Sequence, residues 1–259
     1  MTLRFSTGAR DAQASTLGLQ GAFNAGYMKI FTGSQPTNAD AAETGTLLGT
    51  ITKASGALTK ETRAVGTIVI TGATSGTINS ITVGSVNIIP DGAVAAVAGD
   101  TAATASALCN AINRNGIYTA TVSSSTVTIN PRPGAGAAHN ALTLAGSLAT
   151  VTATYGTNTV AGGVAPANGL ILLPPAAGII SKNTDVWSMV GIAAGTAGWF
   201  RLYGSNTNDA GALVSGAPYY PRIDGTCGVG SGDAQLSSLA VSVGSPHTVD
   251  VFRFTMQGA

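Results

Sequence analysis

Charge is what this sequence has least of. Only 9% of its 259 residues are Asp, Glu, Lys or Arg, against about 25% in an average soluble domain. The formal net charge is +1, and the basic residues are scattered. That excludes a basic stripe for nucleic acid and any bulk attraction for acidic polymers. Histidine is almost missing. His139 and His247 each stand without a second His or a Cys at metal-ligand spacing, so neither a metal site nor a cofactor is expected. The two cysteines, Cys109 and Cys227, are far apart and read as free, mostly buried thiols of a reducing compartment. Mean hydropathy is +0.31, yet long apolar runs are absent. The most apolar stretch, Leu170 to Ile180, is broken by Pro174 and Pro175, whereas a membrane-spanning helix needs about 20 apolar residues. The opening MTLRFSTGARDA has no apolar core after a basic segment, so no signal peptide is expected. There is no G-x-S-x-G elbow and no Walker loop.

What is present is Gly, at 35 residues, with much Ala, Ser and Thr, arranged in two textures. Residues 8 to 25 read as helix in one or two short pieces, with Ser15 or Thr16 as a cap and Gly26 as a stop. YMKIFTG follows as a strand, with Tyr27, Lys29 and Phe31 on one face and Met28 and Ile30 on the other. Thr46 to Thr52 is a second strand. From Thr62 the texture lightens. VGTIVITG, INSITVG and VNIIP read as a meander of short strands. GDTAATASALCNAINRNG reads as a helix capped by Asp100 or Thr101, with Ala105, Leu108 and Ile112 at helical spacing and Gly116 as a stop. IYTATV and STVTINP form a hairpin, LATVTATYG another strand, and residues 160 to 169 a Gly/Ala/Pro linker. Heavier strands then return: DVWSMVGIAAG, GWFRLYG and HTVDVFRFTM, the last with Phe252, Phe254 and Met256 on one face.

The simplest architecture is mainly β. A β-sandwich with a short N-terminal helix takes residues 1–61 plus 165–259, and a small α/β module, residues 62–164, is inserted into it. Closure entropy grows slowly with loop length, so an insertion costs little. Two domains in series would leave the first 61 residues as a poorly buried piece.

Candidate chemistry is thin. Asp40 and Glu43 lie close together in IFTGSQPTNADAAETGTLLGTIT. Paired carboxylates can do acid–base work, but only in a cleft that perturbs their pKa values. The plainer reading is an elbow of one helical turn, capped by Thr37 with Asp40 or by Asp40 with Glu43. GVGSGDAQL, residues 228 to 236, reads as a turn rather than a calcium or phosphate loop, since it is a single copy without a Lys. Asp224 in RIDGT reads as Asp-Gly turn chemistry. In WFRLY, alternation places Trp199, Arg201 and Tyr203 on one face, with Arg201 between the rings. Two fates are open to that face. It can be a partner interface, since Trp, Tyr and Arg are the hot-spot residues, or it can be covered by the N-terminal helix of the same chain. Tyr219 and Tyr220 in YYPRID add a possible sugar-binding or packing surface.

LRFSTGARDA, MKIFTGSQPTNADAAETGTLLGTIT, GTAGWFRLYGS, RIDGTCGVGSGDAQL and HTVDVFRFTM together resemble a family of tailed-bacteriophage virion structural proteins, some of them similar to capsid decoration, or cement, proteins with a jelly-roll-type sandwich. The resemblance covers residues 1 to about 60 and 165 to 259. The insert, with GTIVITG, GDTAATASALCNAIN, YTATV and TVTINP, resembles small α/β modules of phage tail sheath and other tail proteins. The resemblance implies a jelly-roll-like antiparallel sandwich, no enzyme activity and no catalytic residues. Its partners would be the major capsid protein and neighbouring copies in a homo-oligomer, not nucleic acid or membrane. The place would be the capsid exterior of a virion assembled in the host cytoplasm. A tail, collar or fibre-associated protein with a role in host adhesion is the rival expectation. A glycan hydrolase using Asp40 and Glu43 is a third.

Overall fold

The computed structural model describes the chain except residues 1–2, 15–17, 116, 133–134, 206–220 and 256–259. It is mainly β. The chain divides into two compact units, Met1–Glu61 with Pro166–Ala259, and Thr62–Ala165. The first unit opens with β1 (Arg4–Phe5), α1 (Thr7–Ala14), α2 (Gly18–Phe23), β2 (Tyr27–Thr32) and β3 (Leu47–Lys53). The second holds β4 (Gly66–Val83), β5 (Val86–Asn87), β6 (Val94–Ala95), α3 (Thr101–Asn113), β7 (Tyr118–Ser123), β8 (Thr126–Pro131) and β9 (Leu144–Tyr155). The chain then returns to the first unit with β10 (Ile179–Ser181), β11 (Trp187–Val190), β12 (Gly195–Tyr203), β13 (Arg222–Gly228), β14 (Ala234–Leu236), β15 (Ala240–Val241) and β16 (Pro246–Thr255).

In the first unit the pairings form a circuit. β2 pairs with β3, β3 with β11, β11 with β16, β16 with β14, β14 with β13, β13 with β12, and β12 with β2 again. The result is a closed seven-stranded barrel, antiparallel at every seam except β13–β14. Closure removes the unpaired edges that an open sheet presents. The alternation expected of each strand sets the inside. Met28, Ile30, Phe200, Leu202, Trp187, Met189, Phe252 and Phe254 share one core, and Phe252 meets Phe200 edge-on with ring centroids 5.6 Å apart. Such edge-to-face pairs add to the burial of aromatic surface. Leu19, Ala22 and Phe23 of α2 join the same core.

The second unit is a curled sheet. Its spine is β4, one strand of 18 residues where a meander of short strands is expected from the sequence. The register with β9 shifts between Ala73 and Thr77. There Gly76 has φ +102° and Thr150 has φ +62°, so the ribbon bends without breaking, as β-bulges allow. Gly76 has no alternative. A Cβ there would lie 1.9 Å from the Ala149 carbonyl oxygen. β7 and β8 form the expected hairpin, with Ser123 opposite Thr126. α3 covers the sheet with Ala105, Leu108 and Ile112, and Asp100 caps it by accepting from the Ala103 amide at 2.8 Å.

Candidate functional site

The face of β12 opposite the barrel core carries the residues singled out from the sequence. Trp199 lies opposite Phe31 of β2, Arg201 opposite Lys29, and Tyr203 opposite Tyr27. On the other side Arg201 faces Asp224 and Tyr203 faces Arg222, both in β13. The rings stack across the strands, with centroids 4.5 Å apart for Phe31 and Trp199 and 4.8 Å for Tyr27 and Tyr203. The Arg201 guanidinium stands 5.5 Å from the Trp199 ring. It also interacts with the Tyr203 side chain, the next residue on that face. It is held by Asp224, whose oxygens accept from Nε at 2.6 Å and Nη2 at 2.7 Å. Two-point contact of this kind fixes orientation as well as charge.

Trp199, Arg201 and Tyr203 are each 0% exposed, so the expectation of a free partner face fails for all three. The elbow, residues 33–46, reaches Arg201 and Tyr203, while Phe31 stacks on Trp199. The Ala41 carbonyl accepts from Arg201 Nη1 at 2.8 Å. Glu43 pairs with Lys29 at 2.9 Å and accepts from the Tyr203 hydroxyl. Arg4 donates to the carbonyls of Gln35 and Pro36. Asp40 reaches α1 instead, accepting from the Thr7 amide at 3.0 Å and the Thr7 hydroxyl at 2.9 Å, where the helix dipole favours an anion. The turn inside the elbow is capped by Asn38, which accepts from the Ala41 amide at 2.8 Å, not by Thr37 or Asp40. Asp40 and Glu43 are thus committed to different partners and not to one reaction centre. Tyr219 and Tyr220 lie outside the described residues.

Burial shapes the electrostatics. It raises the Tyr203 pKa, and the Glu43 carboxylate adds to the rise. It pushes the Asp224 carboxyl up. On Arg201 burial alone pulls down, but the hydrogen bonds and charge of Asp224 outweigh it and hold the guanidinium protonated. The two-point geometry is that of an ionised pair.

The remaining candidates are engaged locally. His247 Nε2 lies 2.8 Å from the Ser245 hydroxyl, a Ser–His contact not expected from the sequence. A nucleophilic serine needs its proton on the imidazole and a third group to orient the ring. Here the Ser245 hydroxyl donates to the Ser242 carbonyl at 2.6 Å, and His247 Nδ1 is buried with no partner among the described residues. The contact closes a turn. His139 sits 2.6 Å from the Tyr118 hydroxyl. The Gly-rich stretch is a loop between β13 and β14. Parallel neighbours usually need a crossover of a dozen or more residues. This short connection folds because a Cβ at Gly228 would meet the Ser231 carbonyl oxygen at 2.3 Å, and because Asp233 accepts from both the amide and the hydroxyl of Thr226 at 2.9 Å. Cys109 and Cys227 are free thiols. Burial pushes Cys227 up to about 12, with Asp233 adding to the rise.

Two concavities mark the first unit. One, of about 380 Å³, lies between the Gly-rich loop and Val251, Arg253 and Phe254. The other, of about 350 Å³, is bounded by Tyr27, Lys29, Lys60, Thr50, Val190 and Ile192. Among the described residues no group of three or more His, Cys, Asp or Glu is placed to hold a metal ion, and no helix is long and apolar enough to cross a membrane. No family model, no curated protein and no solved structure matches this chain.

Proposed function

We propose that this chain is a non-enzymatic structural component of a tailed-phage particle, a capsid decoration protein that binds and stabilises the shell of the major capsid protein from outside. The observation that carries the reading is an apolar rim on a barrel poor in charge. Val190, Ile192 and Val243 are 49%, 61% and 70% exposed. They are held side by side, because the Gly191 amide donates to the Ser245 carbonyl at 2.9 Å and the Gly244 amide to the Gly191 carbonyl at 2.8 Å. Exposed apolar residues gathered on one surface mark contact sites, and this rim takes the role that the buried Trp199 face does not. With many copies on a shell, modest affinity at each contact suffices. The jelly-roll kinship that the resemblance implies belongs to the same proposal.

Two experiments test it. Purified protein added to capsids that lack it should bind in stoichiometric, saturable fashion, and Ile192→Asp with Val243→Asp should abolish binding while leaving the fold intact. Cryo-electron microscopy of whole particles should find hundreds of copies in icosahedral array. A few copies at the neck or tail would instead support the collar or adhesion reading, and no binding to capsids would end the decoration reading.

A further inference from the structure

The barrel has no open edge along its circuit, but the second unit has one. β9 is 12 residues long and pairs with β4 along its length. Among the described residues it pairs with no other strand, and no backbone hydrogen bond from residues 151–155 leads elsewhere. Proteins usually protect such an edge with lysine, proline or a bulge. The β9 sequence, LAGSLATVTATY, has no charged residue and no proline. Thr150, with φ +62°, divides the strand into two runs. The second, residues 151–155, is Val-Thr-Ala-Thr-Tyr, β-branched and aromatic types that favour extended chain. The register shift within it, between Ile70 and Gly72, lies on β4. Thr152 and Thr154 are exposed, and Val151 is buried.

We propose that this edge is a self-association site, at which two copies of the chain pair antiparallel through residues 151–155 about a two-fold axis. A strand edge recognises backbone, so its hydrogen bonds suit any extended chain. Side-chain charge then selects the partner. In an isologous contact residue i of one copy meets residue j of the other and j meets i, so an edge carrying one sign of charge sets that charge against itself, and like charges directly opposite each other are destabilising. A strand without charge meets its own copy without that penalty. The inference does not rest on the phage reading.

The test is sedimentation velocity of the full chain over a range of concentrations, with amide hydrogen exchange across β9. The native chain should show a monomer–dimer equilibrium, and amides within 151–155 should gain protection as it dimerises. Thr152→Lys with Thr154→Lys should weaken the dimer on the order of tenfold or more, as should Thr152→Glu with Thr154→Glu. An equimolar mixture of the two variants should restore association, which misfolding could not do. A native chain that stays monomeric at every concentration would overturn the proposal. So would self-association that neither variant weakens, a mixture no tighter than its parts, or protection of 151–155 that comes only with an added foreign protein.

Discussion

The first unit buries two tryptophans, five phenylalanines and an ionised Arg–Asp pair. The second contains no Trp or Phe at all. Its core is Ile, Val, Leu and Ala, with Tyr118 its one aromatic below 2% exposure. The difference teaches how each unit holds its shape. In the barrel, both faces of β12 are packed, and directional contacts between stacked rings and charges fix the register of three strands. In the curled sheet, register rests on aliphatic volume, on glycine at the bend and on one capped helix. A buried charge pair contributes little net stability while intact, but removing one partner is costly. Aliphatic packing fails in proportion to the volume removed. The units should therefore answer mutation differently.

The sharpest break is Asp224→Ala. It leaves the Arg201 guanidinium buried and unpaired, and should cost about 3–5 kcal/mol. Replacing both, Arg201→Met with Asp224→Leu, should recover most of that loss. Calorimetry with hydrogen exchange should place the damage in the barrel while β4 and α3 stay protected. Next is Ile112→Ala, 0% exposed in the second core, with an expected loss of about 2–5 kcal/mol confined to the second unit. If the two variants shift the same transition equally, the contrast between the units fails. Asp100→Ala should cost about 1 kcal/mol by removing the α3 cap, read as earlier exchange in the first turn of that helix. The smallest effect is on pH. Burial pulls the His139 pKa below its ordinary 6.5, so the unfolded chain takes up the proton first. The contribution is complete above pH 6.5 and is lost as pH falls below it. Urea midpoints at neutral and mildly acidic pH should show a slope that His139→Gln flattens. The ring is half-exposed, which keeps the effect small.

Local structure was legible where one segment carries its own pattern. The alternation of Tyr27, Lys29 and Phe31 against Met28 and Ile30, the Asp100 cap, the β7–β8 hairpin and the alternation in WFRLY all follow from neighbouring residues. Long-range structure was not. From the sequence, the carboxylates of the elbow serve their own turn. In fact Asp40 serves Thr7, and Glu43 serves Lys29 and Tyr203. No periodicity encodes a contact across 160 residues. Asp224 looks like a turn residue because Gly225 follows it. That glycine is there instead because a Cβ would meet the Phe200 ring at 2.7 Å. β4 reads as several strands because Gly72 and Gly76 punctuate it, and only its pairing with β9 reveals a single bent one.

Barrel closure also has a consequence for synthesis. β3 waits for β11, since Lys53 pairs with Trp187, and the circuit is complete only when β16 has left the ribosome. The 62–165 segment is continuous and its contacts are nearer in sequence, so it can fold while β1 and the β2–β3 pair still lack their later partners. Nascent chains stalled after residue 165 should then protect β4 and α3 from protease, but leave β2 and β3 open to it. The part of the chain made first is finished last.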